Sequence, residues 1–171
     1  MLMHASHEPT LESVKAQPYL ARYAAGWGRV GDSGIVVFVS GVPVGAAWLR
    51  LWSDADKGFG YIDDATPELA MAVLPQYRYH GLGTQLLSRV LAAAKGFHSA
   101  VSLNVRANSH AVRLYQRVGF VKVAGSEIVN RTGGVSFNMI NRLERLPTTA
   151  QPVAATDTPQ SRRTHQEPGS G

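Results

Sequence analysis

Hydrophobic positions mark most of the chain's elements. Ile35-Val36-Val37-Phe38-Val39 is a β-branched run that predicts a strand. Ser40-Gly41-Val42-Pro43 turns the chain into Val44 to Leu51, so the two segments predict an antiparallel hairpin. Leu69 to Leu74 is apolar throughout and bounded by Pro67 and Pro75, the pattern of a central strand buried on both faces. From Gly81 to Ala94, the residues Leu82, Leu86, Leu87, Val90, Leu91 and Ala94 share one helical stripe. Val101 to Val105 follows as a strand, where a parallel βαβ return belongs. Asn108 to Val118 predicts a second amphipathic helix, with Gly119 suited to stop it and Asn108 to cap it. Val121 to Ala124 and Val135 to Asn141 predict a terminal antiparallel pair joined by a loop containing Gly133-Gly134.

The remaining segments are less regular. Residues 1–9 carry no pattern and are expected to fray. Thr10 to Ala25 predict two short helical pieces divided at Pro18, followed by glycine-punctuated chain up to Gly34. No convincing strand precedes these pieces; residues 2–7 offer only a poor one. Ser53 to Thr66 lacks periodicity and reads as an acidic loop. Residues 147–171 are rich in Pro, Thr, Ser, Gln and Ala, too polar to bury a core, so a disordered tail is expected after a domain over residues 10–146. The fold class is α/β, a mixed sheet with helices on both faces.

Composition narrows the function classes. The 171 residues suit one domain, and no apolar run approaches the length of a membrane span. Met1-Leu2-Met3 leads into polar residues, so neither a signal peptide nor a membrane partner is expected, and a cytoplasmic location is the default. With no cysteine, disulfides, thiolate metal sites and a cysteine nucleophile are excluded. The histidines lack metal-ligand spacing with carboxylates, and no metal is expected. The net charge of +5 divides unevenly: residues 78–146 carry ten Lys/Arg against Glu127 and Glu144, whereas Asp54, Asp56, Asp63, Asp64 and Glu68 face only Lys57 over residues 54–68. That asymmetry would suit a polyanion at one end and a cationic amine at the other. The basic residues are scattered singly, so nucleic acid is not an expected partner.

Chemistry concentrates in Gln76-Tyr77-Arg78-Tyr79-His80-Gly81-Leu82-Gly83-Thr84, a glycine turn between strand and helix. Such a turn aims unpaired N–H groups and the positive end of a helix dipole at one spot, where phosphate binds. A Walker loop is excluded because Gly83-Thr84-Gln85 has no lysine, and a dinucleotide fingerprint because Arg78 stands where its first glycine would fall. The remaining pattern, Arg-x-x-Gly-x-Gly, resembles the pyrophosphate-binding signature of the GNAT superfamily of acyl-CoA-dependent N-acetyltransferases. A second motif, Asn108-Ser109-His110-Ala111-Val112-Arg113-Leu114-Tyr115-Gln116-Arg117-Val118-Gly119-Phe120, resembles that family's Asn-x-x-Ala-x-x-Leu-Tyr-x-x-x-Gly-Phe helix at every defining position.

The resemblance implies a central, mostly antiparallel sheet with one splayed parallel pair, and direct transfer of an acetyl group from acetyl-CoA to a primary amine. It implies that residues Arg78, Tyr79, His80, Gly81, Leu82, Gly83 and Thr84 hold the pyrophosphate. Met71, Ala72 and Val73 would hold the pantetheine arm, with Asn108 near the cofactor. It further implies Tyr115 as the acid that protonates the leaving thiol. Glu68 resembles a position where many members carry the base, with Asp63 and Asp64 as alternatives. Tyr79 departs from the small or basic residue common at its position. Trp48, Trp52, Phe59 and Tyr61 around the acidic loop favour a small cationic amine as acceptor, against a protein N-terminus or lysine. A non-catalytic acyl-CoA-binding module is the rival of another class, and a homodimer is compatible with the sequence.

Overall fold

The computed structural model describes residues 18–143. The expectations for residues 1–17 and for the 147–171 tail lie outside these described residues. A one-turn helix α1 (Pro18–Ala21) precedes strands β1 (Ser33–Val39), β2 (Val42–Arg50) and β3 (Glu68–Val73). A single 3-10 turn (Pro75–Tyr77) leads to helix α2 (Leu82–Ala94), strand β4 (Ala100–Arg106) and helix α3 (Ala111–Arg117). Strands β5 (Val121–Lys122), β6 (Ile128–Val129) and β7 (Val135–Arg142) complete the order.

The strands form one sheet in the order β1-β2-β3-β4-β7-β5, with β6 also on β7. Helix α2 carries the chain back between β3 and β4, which makes that pair parallel. Every other ladder is antiparallel. The parallel ladder holds one registered pair, Glu68 with Ser102. By contrast, β2 follows β3 from Gly45↔Val73 to Arg50↔Glu68, and β7 follows β4 along its whole length. The two parallel strands are thus gripped on their outer sides and diverge from each other toward Val73 and Arg106.

Side chains alternate across the sheet, and the two faces differ in kind. One face presents Ala47, Leu49, Leu69, Met71, Leu103, Val105, Phe137 and Met139 to Leu86, Leu87, Val90 and Leu91 of α2 and to Ala111 and Tyr115 of α3. The opposite face buries Arg50, Glu68, Ser102, Asn104 and Ser136. There Tyr23, Trp52 and Ala70 form a smaller cluster with Trp48 and Tyr61. Arg50 organises the segment covering this second face. Its Nε and Nη2 donate to the Asp32 carboxylate at 3.0 and 2.7 Å, and its Nη1 donates to the carbonyls of Arg22 and Ala25 at 2.7 and 2.8 Å. Asp32 also accepts from the N–H groups of Gly28 and Arg29.

Several boundaries differ from those the pattern predicts. The hairpin turn is only Ser40 and Gly41, both at positive φ, while Val42 and Pro43 already belong to β2. Helix α3 starts at Ala111, and the side chain accepting its first N–H belongs to Ser109 (3.2 Å); Asn108 is therefore not the cap. Gly119, at φ 93°, ends α3 as expected, with the Phe120 N–H returning to the Tyr115 carbonyl at 3.0 Å. The terminal region is a three-way arrangement, because β7 enters between β4 and β5 and the two-residue β6 pairs with it.

Burial pushes the Asp32 carboxyl up, but the Arg50 guanidinium and the N–H groups of Gly28 and Arg29 hold it below its ordinary value. A lowered folded-state pKa contributes stability above the unfolded value of about 3.9, and that contribution is lost as pH falls through the folded value. Asp32→Ala strands a buried guanidinium and should destabilise the fold by about 3–5 kcal/mol in urea unfolding at pH 7. The gap between wild type and variant should narrow below about pH 4; a pH-independent gap would mean that the carboxylate charge is not what matters.

Candidate active site

The divergence of β3 and β4 opens a cleft of about 710 Å³, within the roughly 300–1,000 Å³ usual for small-molecule sites. One wall is Met71 and Val73 with the turn residues Arg78, Tyr79, Gly81, Gly83 and Thr84; the other is Arg106, Asn108, Ser109, His110, Ala111, Leu114 and Arg117. Three arginines and no carboxylate line it. Gly81 is left-handed at φ 81° and stands at the N-cap of α2. The first intrahelical bond runs from the Gln85 N–H to the Gly81 carbonyl at 3.1 Å. The N–H groups of Leu82, Gly83 and Thr84 therefore point ahead of the helix, with no side-chain cap and no acidic residue in the first turn. Arg78 is steadied over this spot by its Nε, which donates to the Val73 carbonyl at 3.0 Å. Gly83 sits against α3, since a Cβ there would come within 3.2 Å of Leu114.

Eight of the residues expected to hold the cofactor thus meet in one cleft: Met71, Val73, Arg78, Tyr79, Gly81, Gly83, Thr84 and Asn108. Ala72, His80 and Leu82 belong to the same segments, but the side chain of none of them lines it. Sequence reasoning missed Arg106, Ser109, His110 and Arg117. On α3 the relevant signal is the spacing His110, Leu114, Arg117, which puts all three on one helical face.

Tyr115, also expected to touch the cofactor, is fully buried in the core of the helix face and is not among the residues lining the cleft; it stands edge-on to Phe120 at 5.7 Å between centroids. Its hydroxyl has no hydrogen-bond partner. Burial alone pushes its pKa well above the ordinary phenol value. An orphaned buried hydroxyl costs about 1–3 kcal/mol.

Glu68 is not brought to the cleft. It lies on the second face, where Oε1 accepts from the Tyr23 hydroxyl at 2.9 Å, and that hydroxyl accepts from the Phe59 N–H at 2.8 Å. Oε2 has no hydrogen-bond partner. Burial drives the carboxyl's pKa up, against the Tyr23 hydroxyl, which pulls it down, as do the N–H groups of Gly60 and Trp52 nearby. The Trp52 indole faces the carboxylate without reaching bonding geometry. Glycines seal the site from above: a Cβ at Gly58 would fall 2.0 Å from Oε2, and one at Gly60 would fall 2.9 Å from the carboxyl carbon. Asp63 and Asp64 stay on the exposed loop, where Asp63 accepts from the Ala65 N–H and Asp64 from the Tyr61 hydroxyl at 2.5 Å. The described residues contain no group of His, Asp and Glu able to hold a metal ion. No helix among them is long and apolar enough to cross a membrane.

A splayed parallel pair, a glycine turn at a helix start and an arginine-lined cleft define a site for a phosphate-bearing acyl carrier. The chain belongs to the acetyltransferase (GNAT) family, whose family model matches residues 2–120. An N-alpha-acetyltransferase of Sulfurisphaera tokodaii is 45% identical over 58 residues, 32% of this chain and 35% of that protein. The match thus spans about a third of that relative's length. Among solved structures, yncA from Salmonella typhimurium with its cofactor acetyl-CoA is 26% identical with a TM-score of 0.60, over 81% of this chain and 78% of that one. A spermidine N-acetyltransferase chimera from Vibrio cholerae and hSSAT shares the fold at 19% identity and a TM-score of 0.58, over 80% of this chain and 86% of that one. Acetyl-CoA is the acyl donor of this family, and the cleft offers unpaired N–H groups at a helix start and three arginines, chemistry suited to its phosphates.

Gly81→Glu places a carboxylate on the open N–H groups and should abolish acetyl-CoA binding in a calorimetric titration. Gly81→Asn, which tolerates the left-handed backbone without a charge, should stay within a few-fold of wild type. Equal loss in both would trace the effect to backbone strain instead of phosphate repulsion.

Proposed function

We propose that this protein transfers an acetyl group from acetyl-CoA directly to the α-amino group of a peptide or protein N-terminus. The observation that carries the choice of acceptor is the state of the aromatic, acidic region around the 53–66 loop. A pocket for a small cationic amine needs open aromatic faces and unpaired carboxylates. Here the Trp52 ring already carries the protein's own guanidinium groups, Arg22 at 4.7 Å and Arg29 at 5.5 Å from its centroid. Asp56 pairs with Arg22, Asp54 with Lys57 at 2.7 Å, and Asp64 with Tyr61. The Lys57 ammonium also lies 5.2 Å from the Tyr61 centroid. The chain's own cations pair with Asp54 and Asp56 and occupy the Trp52 face, while Asp63 and Asp64 meet only an N–H and a hydroxyl, which weakens the argument for a small polycation. The name of the Sulfurisphaera tokodaii relative supports an α-amine.

In this reading acetyl-CoA supplies the acetyl group, and the protein binds, orients and moves a proton. The N–H groups of Leu82, Gly83 and Thr84, with Arg78, hold the pyrophosphate. Met71 and Val73, on the side of β3 that diverges from β4, line the path of the pantetheine arm. Burial disfavours the phenolate, so Tyr115 carries its proton at Oη until the thiolate departs. It then protonates that thiolate, and the proton the attacking amine sheds as the amide forms restores the phenol through solvent. Glu68, sealed beneath Gly58 and Gly60, holds Tyr23 and the 53–66 segment in place and touches no substrate.

Thiol release should appear with a peptide bearing a free N-terminus and vanish when the same peptide is blocked there. Spermidine turnover without peptide turnover would reverse the choice of acceptor, and silence with every amine would leave a binding module. Tyr115→Phe should lower kcat by about 10²–10⁴-fold with acetyl-CoA affinity unchanged; an unaltered kcat would remove Tyr115 from the reaction.

A further inference from the structure

Tyr79, in the turn before α2, is the cleft residue that combines a left-handed non-glycine backbone with an open aromatic ring. Its backbone sits at φ 64°, the left-handed region that residues with a Cβ adopt at a penalty, and Ser40 is the only other such non-glycine residue among those described. The Ser40 case is explained by a two-residue hairpin turn, where positive φ is required. Tyr79 lies in no hairpin. Its side chain is 92% exposed, so it shields nothing in the turn, yet it lines the cleft. Strain and an open aromatic at the same residue are what a ligand clamp looks like before its ligand arrives.

The position identifies the part of the ligand that would meet the ring. Tyr79 stands three residues ahead of the start of α2 and lines the cleft with its side chain open to solvent. The pantetheine arm leaves the pyrophosphate inward, past Met71 and Val73, so the group on its other end must lie outward. In coenzyme A that group is 3′-phosphoadenosine, and its purine has two flat π-faces. We propose that Tyr79 is the platform on which the adenine of acetyl-CoA stacks. The left-handed backbone presents the ring at the cleft mouth, and the Arg78 guanidinium beside it fixes the adjoining phosphate. This assignment rests on the reading of the cleft as a coenzyme A site. It adds a residue that selects for the nucleotide end of the ligand and has no part in the chemistry.

The test pairs a truncated ligand with a truncated side chain, using the full chain and calorimetric titration. The ligands are acetyl-CoA and S-acetyl-4′-phosphopantetheine, which lacks the 3′-phosphoadenosine and keeps only one phosphate of the pyrophosphate. Tyr79→Ala should weaken acetyl-CoA by about 5- to 100-fold, the range of one aromatic–base stack. It should leave the truncated ligand unchanged. Tyr79→Phe should behave as wild type with both. Tyr79→Gly relieves the backbone penalty but removes the ring, so it should follow Tyr79→Ala; if it instead bound acetyl-CoA like wild type, the ring would have no role. Equal losses of Tyr79→Ala on both ligands, or none on either, would also overturn the proposal. If wild type bound neither ligand, the coenzyme A reading itself would fall, and the platform with it.

Discussion

Everything in this protein depends on two parallel strands being held together at a single registered pair. A helix between β3 and β4 forces them parallel, and parallel neighbours ordinarily continue their ladder as far as both strands last. Here β2 and β7 follow the outer sides of the two strands with long antiparallel ladders, while the inner ladder has only Glu68↔Ser102. The flanks keep each strand straight enough to stay apart from its partner. The resulting wedge places the phosphate turn, the uncapped start of α2 and one face of α3 around one volume. None of these groups would converge if the parallel ladder closed.

The two faces of the sheet divide the work. The helix face is an ordinary apolar core, in which Tyr115 is the one polar group left without a partner. The opposite face is a buried polar layer, with the Arg50–Asp32 pair, the Tyr23–Glu68 bond and an Asn104–Asn138 bond at 2.8 Å. Such a layer adds little net stability over apolar packing, but each of its groups has demanding partners. It therefore fixes how the 22–32 and 53–66 segments lie on the sheet more sharply than hydrophobic contact would.

The sequence disclosed the parts of the fold that depend on local periodicity. The apolar run after Pro67, the stripe from Leu82 to Ala94 and the glycine stop at Gly119 each carry their own signal. The glycine turn on the β3 side of the cleft was equally legible, because unpaired backbone N–H groups at a helix start follow from it. What stayed hidden depends on contacts between distant segments. The burial of Glu68 is created by Gly58 and Gly60 folding onto it, and nothing about a glutamate before an apolar run reveals that cover. The same holds for the acidic loop, whose negative charge is real but is met in part by Arg22, Lys57 and Tyr61. The two-residue β6 is too short for any pattern to mark, and Asn108 is left outside α3 because that helix begins at Ala111, where the Ser109 hydroxyl accepts the first N–H.

The bare first turn of α2 ties the coenzyme to the folding equilibrium. A helix that starts at glycine, with no capping side chain and no acidic residue to meet its dipole, leaves to a visiting anion the task that other helices give to their own sequence. The pyrophosphate is then a removable cap as well as a handle for the substrate. A ligand that binds only the native state adds stability by mass action, about 2.7 kcal/mol at a hundredfold excess over Kd. Acetyl-CoA and free CoA share the pyrophosphate, so both forms would supply that cap. With the pyrophosphate seated as proposed, the first turn of α2 would couple the stability of the folded protein to the total coenzyme pool, whether or not an acyl group is attached.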